Sequence, residues 1–236
     1  MPNQITSWSF SRFSDYRQCP AKAKYKHVMK MPEPSNPAME RGILIHKLAE
    51  DYIKGKLRAL PSELVKFMNL FKALRALYKK KIRTMDVEES WAFTKDWGKT
   101  RYDDWTGCHL RIKMDCASQD DDPSTLVIRD WKTGRYRDEQ NESYVLQLSL
   151  YAVGAFHTHK HVKTVIPQLV YLDHGIVYPS ASTQKTSYTR KELPMLTKDW
   201  ERRVKPMLND TVFAPTPSDH CRWCHYRKSN GGPCQY

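Results

Sequence analysis

Asp130 and Lys132 stand two residues apart in the run Thr125-Leu126-Val127-Ile128-Arg129-Asp130-Trp131-Lys132, which is rich in β-formers and closes on Thr133-Gly134. Side chains alternate faces along a strand, so the carboxylate and the ammonium project to one side and Trp131 to the other. That pairing suits phosphodiester hydrolysis. Carboxylates hold a divalent cation that polarises the phosphate and acidifies a water, and a lysine orients the water or offsets developing charge. Asp115, on the preceding strand-like run, supplies a second carboxylate if the two runs form a hairpin. Oxygen-rich coordination of this kind suits Mg2+ or Mn2+. Taken alone, Asp-x-Lys also reads as a surface ion pair.

The elements that must position these residues are legible as patterns. Leu110, Ile112, Met114 and Cys116 alternate with Arg111, Lys113 and Asp115, which turns Asp115 away from one apolar row. An earlier strand runs from about Val87 through Trp91 and Phe93. A helix over Ile43 to Ile53 follows Gly42 and carries His46 and Glu50 one turn apart, where His46 also reads as a core-facing histidine and Glu50 as its partner or a solvated side chain. A second helix starts at Pro61-Ser62, buries the stripe Leu64, Phe67, Met68, Phe71, Leu74, Leu77 and Tyr78, and ends in Lys79, Lys80, Lys81 and Arg83. These four cations, and Lys54, Lys56 and Arg58, are candidate phosphate contacts or simply a solvated face. A helix over Ser143 to Phe156 places Gln147 and Tyr151 on one face. Strands near Val165 to Leu172 and Gly175 to Tyr178 precede a last helix from Leu193 to Leu208, with Pro194 in its first turn. Near the N-terminus a short helix breaks at Pro20, leaving Cys19 at its end.

Composition narrows the partner. The 236 residues carry 39 Lys+Arg against 26 Asp+Glu, a formal net charge of +13, which favours polyanions such as nucleic acid. Seven Trp and thirteen Tyr accompany that charge, as a single-strand groove with stacking rings would require, although most such rings serve a core. No apolar run is long enough to span a membrane and the N-terminus lacks signal-peptide order, so the expectation is an intracellular protein, cytoplasmic or nucleoid-associated. In that setting six cysteines favour metal ligation over disulfides.

Five ordered segments together resemble the RecB-type exonuclease branch of the PD-(D/E)XK nuclease superfamily. They are Ser11 to Pro20 (a Ser-x4-Tyr-x2-Cys-Pro pattern), Gly42-Ile43-Leu44-Ile45-His46, Leu110 to Asp115, Val127 to Gly134, and Gln147-Leu148-Ser149-Leu150-Tyr151. The resemblance spans most of the chain. It implies an α/β restriction-endonuclease-like core, a mixed central sheet flanked by helices. It also implies that His46, Asp115, Asp130 and the Trp131 backbone carbonyl ligate the catalytic metal, that Lys132 acts on the nucleophile, and that Gln147 and Tyr151 shape the site.

The tail reads Cys221-Arg222-Trp223-Cys224, with Cys234 ten positions further on and His220 and His225 alongside. A Cys-x-x-Cys turn presents two thiolates to one metal. Some members of the resembled family close a four-thiolate site across the chain, which implies Cys19 as the fourth ligand and a [4Fe–4S] cluster as the occupant. Zinc is the alternative, with a histidine substituting for Cys234 because Ser229-Asn230-Gly231-Gly232 lengthens the gap. Either group would staple the chain ends. Cys108 and Cys116 read as structural.

The whole chain is therefore expected to be a single nuclease domain, with a core at about 38–210 and a metal-stapled cap from 1–37 and 211–236. Its expected activity is metal-dependent DNA exonuclease action on single strands or ends, in recombination or repair and with a helicase or recombination partner. The competing readings are a structure-selective endonuclease on the same fold and a non-catalytic zinc or iron–sulfur nucleic-acid-binding module.

Overall fold

The computed structural model describes residues 3–81, 85–120, 122–136, 142–180 and 185–236. Among them, six strands form one mixed sheet. Strands β1 (Met85–Phe93), β2 (Leu110–Ser118) and β3 (Thr125–Lys132) make an antiparallel meander, and β4 (Thr164–Tyr171) runs parallel to β3. Strands β5 (Ile176–Tyr178) and β6 (Tyr188–Thr189) both pair antiparallel with β4. Parallel neighbours need a crossover, and the 17-residue helix between Glu142 and Thr158 provides it. This is the mixed α/β architecture expected from the sequence. The two residues of β6 are too few to leave a periodic signal.

In chain order the helices are α1 (Phe10–Gln18), α2 (Pro20–Ala23), α3 (Pro37–Ile53), α4 (Met68–Lys80), α5 (the crossover) and α6 (Leu193–Asn209). Helix α3 starts six residues before its apolar run, because Asn36 Oδ1 caps Met39 N at 3.0 Å and Pro37 takes a first-turn position whose N–H would be orphaned anyway. The helix expected from Pro61 opens instead as a 3-10 segment over Ser62–Phe67. Phe67, at φ −118° and ψ 31°, separates it from α4.

Two cores cover the two faces of the sheet. The larger lies under α5, α6 and α1, where Trp8 stacks on Trp200 at 5.5 Å between centroids and Phe13 meets the same ring edge-on at 5.2 Å. Burying each such ring contributes about 1.5–3 kcal/mol, so the opening segment is anchored in the main core as well as by its bridge to Leu110. Helix α5 sits close on the sheet at Gly154, where a Cβ would lie 2.5 Å from Ile112 Cδ1. The smaller core lies under α3 and α4, with Phe71 against Trp131 at 5.0 Å.

Cys116 does not share the apolar row of Ile112 and Met114: those two belong to the larger core and Cys116 to the smaller. The cause is a break in alternation. On β1 Val87 faces the smaller core while Trp91 and Phe93 face the larger, and Glu88 between them has a left-handed φ of 56°. The ladder pairs Val87 with Cys116 and Glu89 with Met114, and leaves Glu88 and Asp115 as the unpaired position between. Both acidic residues thus stand where two strands change face, free of regular pairing.

Candidate active site

The end of β3 and the facing turn of α5 build one half of the site. Asp130 Oδ2 lies 2.6 Å from Lys132 Nζ, and its Oδ1 accepts from the Tyr151 hydroxyl at 2.5 Å. Gln147 links the two donors: its Oε1 accepts from Lys132 at 3.3 Å and its Nε2 donates to the Tyr151 oxygen at 3.0 Å. Trp131, on the opposite face, packs into the smaller core as strand alternation requires. Burial pulls the Lys132 ammonium towards neutrality, but the Asp130 charge more than offsets it and raises its pKa, so Lys132 is cationic at neutral pH. Burial and the Asp130 and Asp115 charges raise Tyr151 well above the ordinary phenol range, which keeps its hydroxyl a neutral donor.

Asp115, His46 and Glu88 build the other half. Asp115 Oδ2 accepts from the Trp131 backbone N–H at 2.6 Å, and Oδ1 lies 3.0 Å from His46 Nδ1. Glu88 Oε1 is 3.9 Å from that same nitrogen, while its Oε2 holds Lys113 Nζ at 3.1 Å. Burial and the neighbouring Asp130 charge push the Asp115 carboxyl up, against the pull of His46. For His46, burial disfavours the charged ring, but the hydrogen bond to Asp115 and the surrounding carboxylates outweigh it and raise its pKa.

This half fits a divalent cation. Among the described residues, His46, Glu88 and Asp115 form the one group whose ligand atoms all lie within 4.8 Å of one another. Separations of 3.0 and 3.9 Å fall within the roughly 3–4 Å that spans neighbouring to opposite ligands of an ion bound at about 2.1 Å. Glu88 Oε1 is buried and accepts no hydrogen bond, a cost of about 1–3 kcal/mol that a metal would remove. Glu88 was absent from the sequence-derived set. Its only trace there is the failed alternation from Val87 to Trp91, which puts Glu89 on an apolar row. Asp130 stands outside the trio, held by Tyr151 and Lys132, yet close enough for its charge to act on Asp115 and His46.

The Gly-x-x-x-His spacing has a physical reason here. A Cβ on Gly42 would sit 3.2 Å from Thr133 Oγ1, so glycine lets α3 approach the end of β3 and carry His46, one turn on, over Asp115. Glu50 plays no part in the site and instead pairs with Lys47 at 2.9 Å and Lys54 at 2.8 Å.

The candidate phosphate contacts divide. Lys54 and Lys56 are engaged by Glu50 and Asp51. Lys79, Lys80 and Lys81 are exposed at the end of α4, with no ion pair among the described residues, and Arg58 is likewise exposed. Arg83 lies outside the described residues.

Cys19, Cys221, Cys224 and Cys234 line one cavity of about 200 Å³, together with Tyr25 and His225, and all four thiols are free. Backbone N–H groups point at the sulfurs: Thr216 N is 3.4 Å from Cys19 Sγ and Ser218 N is 3.3 Å from Cys221 Sγ. The long Cys224–Cys234 gap folds as a 3-10 turn closed by Gly231 at φ 80°, and Gly232 passes so near Tyr226 that a Cβ would fall 2.2 Å from its backbone. That return brings Cys234 beside Arg227. The tail is not without a core, because Tyr226 is buried against Tyr25 at 5.6 Å and its hydroxyl donates to Met31 O at 3.3 Å. Cys108 and Cys116 are buried elsewhere.

Residues 7–229 match the model of the PD-(D/E)XK nuclease superfamily. No curated protein matches the chain. Among solved structures, SSO0001 superposes with a TM-score of 0.50 at 12% identity, over 96% of this chain and 86% of that one. A chain from Eubacterium rectale, named as a candidate exonuclease, does so with a TM-score of 0.50 at 14% identity, over 94% of this chain and 88% of that one. At such identities the likeness is one of fold. No described helix is long and apolar enough to cross a membrane.

Proposed function

This chain belongs to the PD-(D/E)XK nuclease superfamily, and on that premise we propose that it is a divalent-metal-dependent DNA exonuclease of the RecB-type branch, acting on single strands or DNA ends. The observation that carries the reading is the convergence of His46, Asp115 and Glu88 next to the Asp130–Lys132 pair. The name of the Eubacterium rectale neighbour supports an exonuclease.

His46, Asp115, Asp130 and the Trp131 carbonyl would hold Mg2+ or Mn2+, with Glu88 completing the set. Bound there, the ion supplies Lewis acidity towards a phosphate oxygen and lowers the pKa of a water. The chain's own residues do the rest. Trp131 N–H fixes Asp115, Tyr151 fixes Asp130, and Lys132, cationic and braced by Gln147, orients the attacking water or offsets charge at the reacting phosphate. Lys79, Lys80, Lys81 and Arg83 would serve as further phosphate contacts.

The four cysteines would hold a [4Fe–4S] cluster that staples the first helices to the tail. Tetrahedral zinc at about 2.3 Å from each sulfur needs ligand atoms about 3.8 Å apart, and among the described residues no three cysteine or histidine ligand atoms of the tail meet within 4.8 Å. The four thiols lining one cavity, with N–H groups aimed at two of the sulfurs, support the larger group. A helicase or recombination partner would supply unwinding.

The test is cleavage of linear and circular single-stranded DNA with Mn2+. An exonuclease degrades the linear strand and spares the circle, whereas equal cleavage of both marks an endonuclease. Lys132→Ala is expected to slow cleavage by at least about 100-fold while DNA binding persists.

A further inference from the structure

The loop at 94–109, between β1 and β2, turns two rings outward: Trp105 is 80% exposed and Tyr102 44%. Both lie over the guanidinium of Arg111, at 5.0 and 5.6 Å. Arg111 is itself buried and fixed by three acceptors, the Tyr102 and Asp104 carbonyls at 2.9 and 3.3 Å and Ser7 Oγ at 2.9 Å. The rings are therefore braced from beneath and open above. Together the two rings on their shared, buried support form one preordered apolar patch open to a partner.

Charge says which partner. Arg12 and Arg111 share the Ser7 hydroxyl, at 2.7 and 2.9 Å, Lys30 is exposed, and among the described residues none of the three pairs with a carboxylate. Burial first, and then mutual repulsion, disfavours the charged forms of Arg12 and Lys30. An anion would relieve that repulsion. From Arg111 the strand leads through Lys113, which holds Glu88, to Asp115 in the candidate metal trio. Four residues of strand cover about 13 Å, the length of a short stretch of polynucleotide.

We propose that Trp105 and Tyr102, held from beneath by Arg111, form a base-stacking platform for a single strand of nucleic acid, whose phosphates lie near Arg12 and Lys30 and whose chain runs along β2 towards Asp115. Unpaired bases offer a free π-face, whereas a duplex hides its faces within the helix. The platform thus selects single strands. It rests on the nuclease reading for the fate of the strand, while the binding itself stands apart from cleavage.

The test uses the whole protein in EDTA, with a fluorescent short oligothymidine and a blunt hairpin duplex as probes. Trp105→Ala is expected to weaken oligothymidine binding by about tenfold, since stacking contributes about 1–3 kcal/mol per base. Hairpin binding should stay within about twofold, Trp105→Phe should restore most of the loss, and neither variant should change the melting temperature or the Mn2+ affinity read by EPR. Equal oligothymidine affinity in wild type and Trp105→Ala, or an equal loss on the hairpin, overturns the platform. Wild-type protein that binds oligothymidine through Trp105 and never cleaves it with Mn2+ would remove the nuclease reading and leave the platform standing.

Discussion

The Tyr151 hydroxyl donates to Asp130 Oδ1 at 2.5 Å while Lys132 Nζ stands 2.6 Å from Oδ2, so a hydrogen bond from α5 fixes one oxygen of the central carboxylate and the Lys132 charge neighbours the other, which accepts no hydrogen bond. A catalytic carboxylate oriented in this way does not have to reorganise when substrate arrives. Tyr151→Phe removes one donor and leaves a buried carboxylate oxygen short of a partner, a cost of about 1–3 kcal/mol. Single-turnover cleavage with saturating Mn2+ is expected to slow by about 10–100-fold, with a small fall in melting temperature. An unchanged rate would show that Tyr151 only packs.

Glu88→Gln separates ligation from folding. Exchanging this carboxylate for an amide relieves the buried Oε1, which has no donor, and gives up the ion pair of Oε2 with the largely exposed Lys113, so stability without metal should stay within about 1 kcal/mol, yet the Mn2+ dissociation constant should rise by at least about tenfold, which titration calorimetry would read. Undiminished Mn2+ affinity would take Glu88 out of the ligand set.

Cys221→Ser tests the staple. Purified under anaerobic conditions, the wild type is expected to carry iron and sulfide and the variant to lose both, with a lower melting temperature and the phosphodiester site still able to bind Mn2+. A variant of unchanged stability and metal content would refute it.

Acid stability should report on Asp15, which ties α1 to α2 through Lys22 at 3.0 Å and to the segment after α2 through His27 at 2.8 Å. Burial alone would raise the Asp15 carboxyl, but the His27 hydrogen bond and the charges of Lys22 and Lys26 hold it well below the usual range. A depressed carboxylate contributes stability that is complete above the unfolded pKa of about 3.9 and is lost as pH falls through the folded value. Asp15→Asn is therefore expected to melt lower than wild type at pH 7, with the gap closing below about pH 4. A gap that persists in acid would assign the effect to packing.

Much of this was legible in the residues themselves, and where it was not, the reason is physical. Strand alternation placed Asp130 and Lys132 on one face and Trp131 on the other, and helix spacing joined Gln147 to Tyr151. Both arrangements follow from a single element's period. Glu88 was hidden because its role depends on β1 and β2 changing face at the same step, with a left-handed residue at that step. No one strand's pattern carries that information, and the same break misassigned Cys116. Cys19 was joined to the tail only through the family resemblance, since no local pattern carries that meeting, and the approach of Arg12 to Arg111 is likewise a product of tertiary packing between segments far apart in sequence.

The most direct test of the central claim is cleavage of end-labelled single-stranded DNA by purified protein in Mg2+, Mn2+ or EDTA, comparing wild type with Asp130→Ala. Metal-dependent cleavage by wild type, lost in EDTA and in the variant, is the predicted result. Binding without cleavage under every condition, or cleavage that survives in Asp130→Ala, would contradict the account.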